Sequence, residues 1–282
     1  MPSTRALCLS DNMVPFGSGY WGEHGLSFYI ESGDGLRILF DTGQSGDVLF
    51  HNARLSDVSL SGLDYIVLSH GHYDHTGGLM KVLKLNKGVP LIVHPAAFQK
   101  KFARRDQGLK DIGLPFSLLE FASAKSELKE HCELRIEPGP VDLGNAISTT
   151  GEVERITPYE RPEPDLLIDE GGTLRTDPVR DDQSLVIRLD GRIVLLCGCC
   201  HAGIINTIEC VKRQHGKYPD LIAGGLHMEK AGADRLSRTV EALKATGVKK
   251  VMAGHCSGDA IVSSLASTGI EAGRLAAGIR VI

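Results

Sequence analysis

A chain of 282 residues with 42% hydrophobic content, 23% charged residues and 33 glycines fits one large α/β domain, not a disordered or fibrous protein. The formal net charge of −4, with both signs interspersed, leaves no broad basic field, so a nucleic-acid partner is not expected. Met1-Pro2-Ser3-Thr4-Arg5 leads into no apolar run of signal-peptide length, and no span of about 20 apolar residues occurs, so no membrane association and a cytoplasmic location are expected.

In chain order, Asp11-Asn12 and the glycine-rich stretch 16–20 open the protein as a loop. Leu26-Ser-Phe-Tyr-Ile30 and Leu36-Arg-Ile-Leu-Phe40 then flank Gly33-Asp34-Gly35, which predicts a hairpin ending at Asp41-Thr42-Gly43. Residues 48–55 read as a short helix. Asp64 opens the apolar run Tyr65-Ile66-Val67-Leu68, a buried strand by its length and composition.

That strand runs straight into Ser69-His70-Gly71-His72-Tyr73-Asp74-His75-Thr76-Gly77-Gly78. Three imidazoles and a carboxylate within six positions are too many for ordinary loop polarity, because both are preferred ligands of zinc-like ions. His70 and His72, two apart, suit a turn wrapping one cation. Asp74 and His75 project differently and can serve a second. Leu79-Met-Lys-Val-Leu83 then suggests a helix, and Val89-Pro-Leu-Ile-Val93 a strand ended by His94. A histidine in that position is ordinarily satisfied by a backbone group.

From about 98 to 176 the pattern loosens. Lys100-Lys101 and Arg104-Arg105 form a basic cluster, and Glu127, Glu130 and Glu133 surround His131. Thr150-Gly-Glu-Val-Glu-Arg155 leads to Pro158, Pro162 and Pro164. Such a stretch cannot supply a central strand and reads as a loop-rich insertion, a cap over the site. Its basic residues could meet an anionic substrate, although a charge run is ordinarily a solvated face.

Order returns with Ser184-Leu-Val-Ile-Arg188 and Arg192-Ile-Val-Leu-Leu196 around Asp190-Gly191, a second hairpin. Asp34 and Asp190, Asp41 and Cys197, and Asp64 and Asp220 each stand 156 positions apart. Hairpin, helix and strand therefore recur in one order, which predicts two similar halves. In the second half His201, His227 and His255 each follow an apolar, strand-like run. Three of the seven cysteines (Cys197, Cys199, Cys200) crowd one segment, a density that points to metal ligation or redox chemistry before disulfides.

His70-Gly-His72-Tyr-Asp74-His75 resembles the HxHxDH signature of the metallo-β-lactamase superfamily. Glu23-His24-Gly25, Asp41-Thr-Gly and Ala253-Gly-His255 resemble its other motifs. The resemblance implies an α/β fold, a four-layer αβ/βα sandwich of two similar halves with two mixed β-sheets face to face, forming a single domain over 1–282. It also implies a dinuclear site of divalent metal ions, zinc first, with iron or manganese as alternatives. His70, His72 and His201 would hold one ion, and Asp74, His75 and His255 the other. Asp41 would support the site from behind. The usual bridging Asp after the second hairpin is missing: Cys197-Gly-Cys-Cys-His201 stands there, so a histidine or a thiolate must replace it. Gly-Cys-Cys-His-Ala-Gly-Ile, Gly-Gly-Leu-His and Gly-His-Cys-Ser-Gly resemble a subgroup labelled dihydropterin–ribofuranosylaminobenzene phosphate synthase or related metal-dependent hydrolases.

The expected function is thus a metal-dependent hydrolase acting on a small, anionic, phosphate- or pterin-type substrate, with hydroxide generated at the metal. Asp74 would orient the nucleophile, and His227 would be a further ligand or a donor to substrate oxygen. The alternative is a pterin-related transferase. An iron redox protein is disfavoured by the lack of room for a flavin-binding partner domain, and a thiol-based metal sensor is the third reading. Homo-oligomer formation is left open.

Overall fold

The computed structural model describes residues 3–115 and 131–282. The first sheet takes strands in the order β1-β2-β3-β4-β5-β8. These are β1 (Arg5–Ser10), β2 (Ser27–Glu31), β3 (Arg37–Phe40), β4 (Tyr65–Val67), β5 (Val89–Val93) and β8 (Cys132–Ile136). The second runs β17-β16-β15-β14-β13-β10-β9. Its members are β9 (Asp142–Gly144), β10 (Ile147–Thr149), β13 (Ser184–Leu189), β14 (Arg192–Cys197), β15 (Leu221–Gly225), β16 (Lys250–Gly254) and β17 (Glu271–Arg274).

Alternation along the strands builds the layers, because successive side chains point to opposite faces. Ile38, Phe40 and Val67 of the first sheet meet Leu185, Ile187, Val194 and Leu196 of the second in one apolar layer. Leu39 and Ile66 point the other way and pack with Leu49 of α1 (Asp47–Leu55) and Val82 of α3 (Leu79–Leu83). Ile193 and Leu195 pack beneath α4 (Ile204–His215), α5 (Ala233–Thr246) and α6 (Asp259–Ala266). Helix, sheet, sheet, helix is the expected four-layer arrangement.

The two halves are also visible in the pairing. β2 and β3 are antiparallel and β3, β4, β5 and β8 are parallel, and β13, β14, β15, β16 and β17 repeat that sequence. Ile38 pairs with Tyr65, and Val194, 156 positions on, pairs with Leu221, 156 positions on. The hairpins differ by one residue of register, since Glu31 opposes Arg37 but Leu189 opposes Arg192 across a two-residue turn.

The stretch 98–176 differs from the loop-rich cap expected of it. β8, β9 and β10 enter the main sheets, while β6 (Lys101–Arg105), β7 (Gly108–Asp111), β11 (Leu166–Glu170) and β12 (Thr173–Thr176) form a third sheet in the order β12-β11-β6-β7. Two of its strands have no buried residue, so they carry no apolar alternation for a sequence reading to detect. The proline-bearing segment 150–165 is irregular, as expected. Glu127 and Glu130 lie outside the described residues. Among the described residues no helix is long and apolar enough to cross a membrane.

Candidate metal centre

Every side chain singled out in the sequence as a ligand stands at the C-terminal end of a strand of the two main sheets, or on the loop that follows. Ser69 to His75 follow β4, with α2 (Tyr73–Thr76) carrying Asp74 and His75. Cys199 and His201 follow β14, His227 follows β15 and His255 follows β16. The loop after β4 is clamped from several sides. Thr42 N–H and Oγ1 donate to the His75 carbonyl, at 2.7 and 3.0 Å, and Gly71 N–H donates to Asp181 Oδ2 at 2.7 Å. A side chain at Gly77 would collide with the Gln44 carbonyl, so that position admits only glycine.

His70, His72 and His201 converge, with ligand nitrogens within 4.8 Å of one another. The Nε2 atoms of all three are buried and have no hydrogen-bond partner. Unpaired buried polar atoms are rare because each costs about 1–3 kcal/mol, and three that converge on one space fit a bound cation. Burial lowers the basicity of all three rings, and carries His72 to about 3. They are therefore neutral imidazoles with free lone pairs, the form a metal requires.

The second group surrounds Asp74. Its Oδ2 lies 3.1 Å from His255 Nε2, 3.3 Å from His24 Nε2 and 3.7 Å from His75 Nε2. Burial would raise the Asp74 carboxyl, but the facing His75 and His255 hold it well below the usual range. His75 shows the opposite balance. Burial opposes its charge, yet Asp41 and Asp74 raise it to about 9 in the absence of a metal, so a cation at its Nε2 would have to displace that proton.

The tautomers can be assigned from acceptor-only partners. Ser69 Oγ donates to Asp41 Oδ2 at 2.7 Å, so it must accept from His70 Nδ1–H at 2.8 Å. His75 Nδ1–H donates to Asp41 Oδ2 at 2.7 Å, and His255 Nδ1–H to Asn12 Oδ1 at 2.9 Å. In each case Nε2 is left to face the centre, as in metal sites where the outer nitrogen is fixed by an oxygen acceptor.

The structure thus brings together His70, His72, Asp74, His75, His201 and His255. His227 stands at their edge, its ring 4.3 Å from that of His201. Its Nε2 is 2.6 Å from Glu163 Oε1. Burial opposes its charge, but Cys256 and Glu163 raise it to about 10. His94 stays out of the centre: its Nδ1 accepts the Ala96 N–H at 3.1 Å, the backbone partner expected.

Several participants had no marker in the sequence. Asn12 reads only as a loop residue, and Asp181, Asp182 and Glu163 stand in no motif. Lys101, read as part of a basic surface cluster, is fully buried and paired with Asp177 at 2.9 Å and Asp181 at 2.8 Å. Arg105 of the same cluster lines the cleft above the centre, with Ile112, Glu163, Glu229 and Lys230. No disulfide joins any of the seven cysteines, all of which are buried, and Cys199 Sγ lies 3.2 Å from His75 Nε2.

Comparison with known proteins agrees with this geometry. The family model of the metallo-beta-lactamase superfamily matches residues 20–199. The chain is 33% identical, over 90% of its length and 87% of the relative's, to 7,8-dihydropterin-6-methyl-4-(beta-D-ribofuranosyl)-aminobenzene-5'-phosphate synthase of Methanocaldococcus jannaschii. Tm1679, described as a metal-dependent hydrolase of the beta-lactamase superfamily, superposes with a TM-score of 0.82 at 26% identity, over 99% of this chain and 98% of the other. Zinc-bound PqqB from Methylobacterium extorquens shares the fold, with a TM-score of 0.54 at 12% identity and 99% of each chain covered. This chain belongs to the metallo-β-lactamase superfamily.

Proposed function

We propose that the chain is a metal-dependent hydrolase acting on a small anionic molecule at a centre of two divalent cations, with zinc the first choice. The observation that carries this reading is the set of three buried, unpartnered Nε2 atoms of His70, His72 and His201 beside the Asp74–His75–His255 group. His70, His72 and His201 would hold one ion, and Asp74, His75 and His255 the other. Bound there, such ions lower the pKa of water and polarise carbonyl or phosphoryl oxygens.

The chain's own groups supply the rest. Asp74 stays ionised and orients the attacking group. His227, whose charged form is favoured by Cys256 and by its Glu163 pairing, would present Nδ1–H to an oxygen of the substrate or leaving group. Arg105 and Lys230 offer cationic contacts in the cleft, while Glu163 and Glu229 keep its mouth mixed in charge, which suits a substrate with both an anionic and a polar part.

A second reading, a pterin-type synthase, is favoured by the 33% identical relative. There an arylamine carbon or nitrogen displaces phosphate or pyrophosphate from the pterin 6-methyl carbon and loses a proton. One assay separates the two. The protein is given a dihydropterin with a pyrophosphorylated 6-methyl group, with and without (ribofuranosyl)aminobenzene 5'-phosphate, alongside simple phosphoesters. Cleavage to free alcohol without the acceptor supports the hydrolase, and a joined product formed only with acceptor supports the synthase. Turnover that survives both chelation and His72→Ala would refute the metal-centre reading in either form.

A further inference from the structure

The two groups of ligands are joined by one sulfur. Cys199 Sγ lies within 4.8 Å of ligand nitrogens of His70 and His75, of His201 and His227, and of His255. It thus reaches members of both trios. It is 3.2 Å from His75 Nε2 and 3.4 Å from Cys256 Sγ. Metal bonds of about 2.0–2.3 Å to nitrogen and sulfur put two ligands of one ion within about 4–4.6 Å of each other, so the sulfur is placed to share an ion with either trio.

Its position is fixed by close backbone packing. Gly225 N–H donates to the Gly198 carbonyl at 3.1 Å. A side chain at Gly198 would strike Ser69 Oγ, and one at Gly225 would strike Cys256 Sγ and the Gly198 carbonyl. The strand ends thus close on each other beside Cys199, which fixes its backbone.

We propose that Cys199 is a metal ligand that bridges the two cation positions, its thiol proton leaving to solvent as the ions bind. This rests on the metal-centre reading above. A thiolate bridge selects borderline ions such as zinc, iron(II) or cobalt(II) over magnesium or manganese. The geometry assigns Cys256 a place beside the bridge, not within it, since its sulfur groups with His255 and Cys199 but with no member of the His70–His72–His201 trio.

The test is cobalt(II) loading of the apoprotein, followed by near-ultraviolet absorption and metal analysis. The wild type should show a thiolate-to-cobalt charge-transfer band with about two equivalents bound, and Cys199→Ser should lose the band and fall to about one. Cys199→Asp should restore the second equivalent without the band, which separates loss of a bridge from loss of the fold. Cys256→Ser should keep the band. Two bound ions with no band in the wild type, or a band that survives Cys199→Ser and vanishes in Cys256→Ser, would overturn the bridge alone. No cobalt bound by the wild type would overturn the metal centre itself.

Discussion

At the scale of single residues, the centre depends on how each imidazole is turned. His70, His75 and His255 are fixed through Nδ1 by Ser69, Asp41 and Asn12, leaving Nε2 for a cation. Asn12→Leu should therefore weaken metal affinity about 10–100-fold without unfolding the protein, as loss of an outer hydrogen-bond partner does; titration with a chromophoric chelator would measure it. An unchanged affinity would mean that Asn12 does not set the His255 ring. The ligands were legible in the sequence because four of them fall within six positions and two more end apolar runs. Their supports were not. Asn12 lies 243 positions from His255, and a loop asparagine carries no local sign of the ring it will meet. Cys199 was visible only as one of three crowded thiols, and the fold alone separates it from Cys197 and Cys200, which pack in the core.

At the scale of elements, strands were legible where β-branched and aliphatic residues alternate between two buried layers, as in β4, β13 and β14. β1 is as long as β13 and β14, but Arg5–Ser10 holds no β-branched or aromatic residue and abuts the opening loop, so nothing marks it as a strand. The small sheet escaped because its edges are exposed. That sheet nevertheless reaches the centre through one buried group. Lys101 of β6 holds Asp181, and Asp181 holds the Gly71 N–H of the ligand loop. Burial lowers the Lys101 ammonium, but Asp181 and Asp177 raise it above its ordinary value. Lys101→Met leaves two buried carboxylates without their cation and should cost about 3–5 kcal/mol, read from urea unfolding. A loss under about 1 kcal/mol would show that the carboxylates simply take up protons. Glu160 does a similar service for α4, whose own first residues provide no cap. It accepts from Ile205 N–H at 2.9 Å and Asn206 N–H at 2.8 Å. Glu160→Ala should cost about 1–2 kcal/mol by the same measurement.

At the scale of the whole molecule, duplication places a ligand-bearing edge on each sheet, and face-to-face packing brings the edges together. The centre thus lies on the seam between halves, so its supports are inseparable from stability. Burial raises Asp182 to about 6, despite the Ala202 N–H it accepts at 2.8 Å and the nearby Arg155. The folded state therefore binds more protons than the unfolded state between about pH 4 and 6. The stability this group contributes is present below about pH 4 and is lost as pH rises through about 6. Asp182→Asn removes that loss. The metal-free variant should match the wild type near pH 4 and exceed it by on the order of 2 kcal/mol at pH 8. An equal or lower stability at pH 8 would contradict the assignment.

The most direct test of the central claim is the metal content per chain of the purified protein, measured by plasma mass spectrometry beside the His72→Ala and Asp74→Ala variants. The account predicts about two equivalents in the wild type and about one in each variant, because each substitution empties one half of the centre. A content that is the same in all three proteins would place the metal elsewhere and contradict the account.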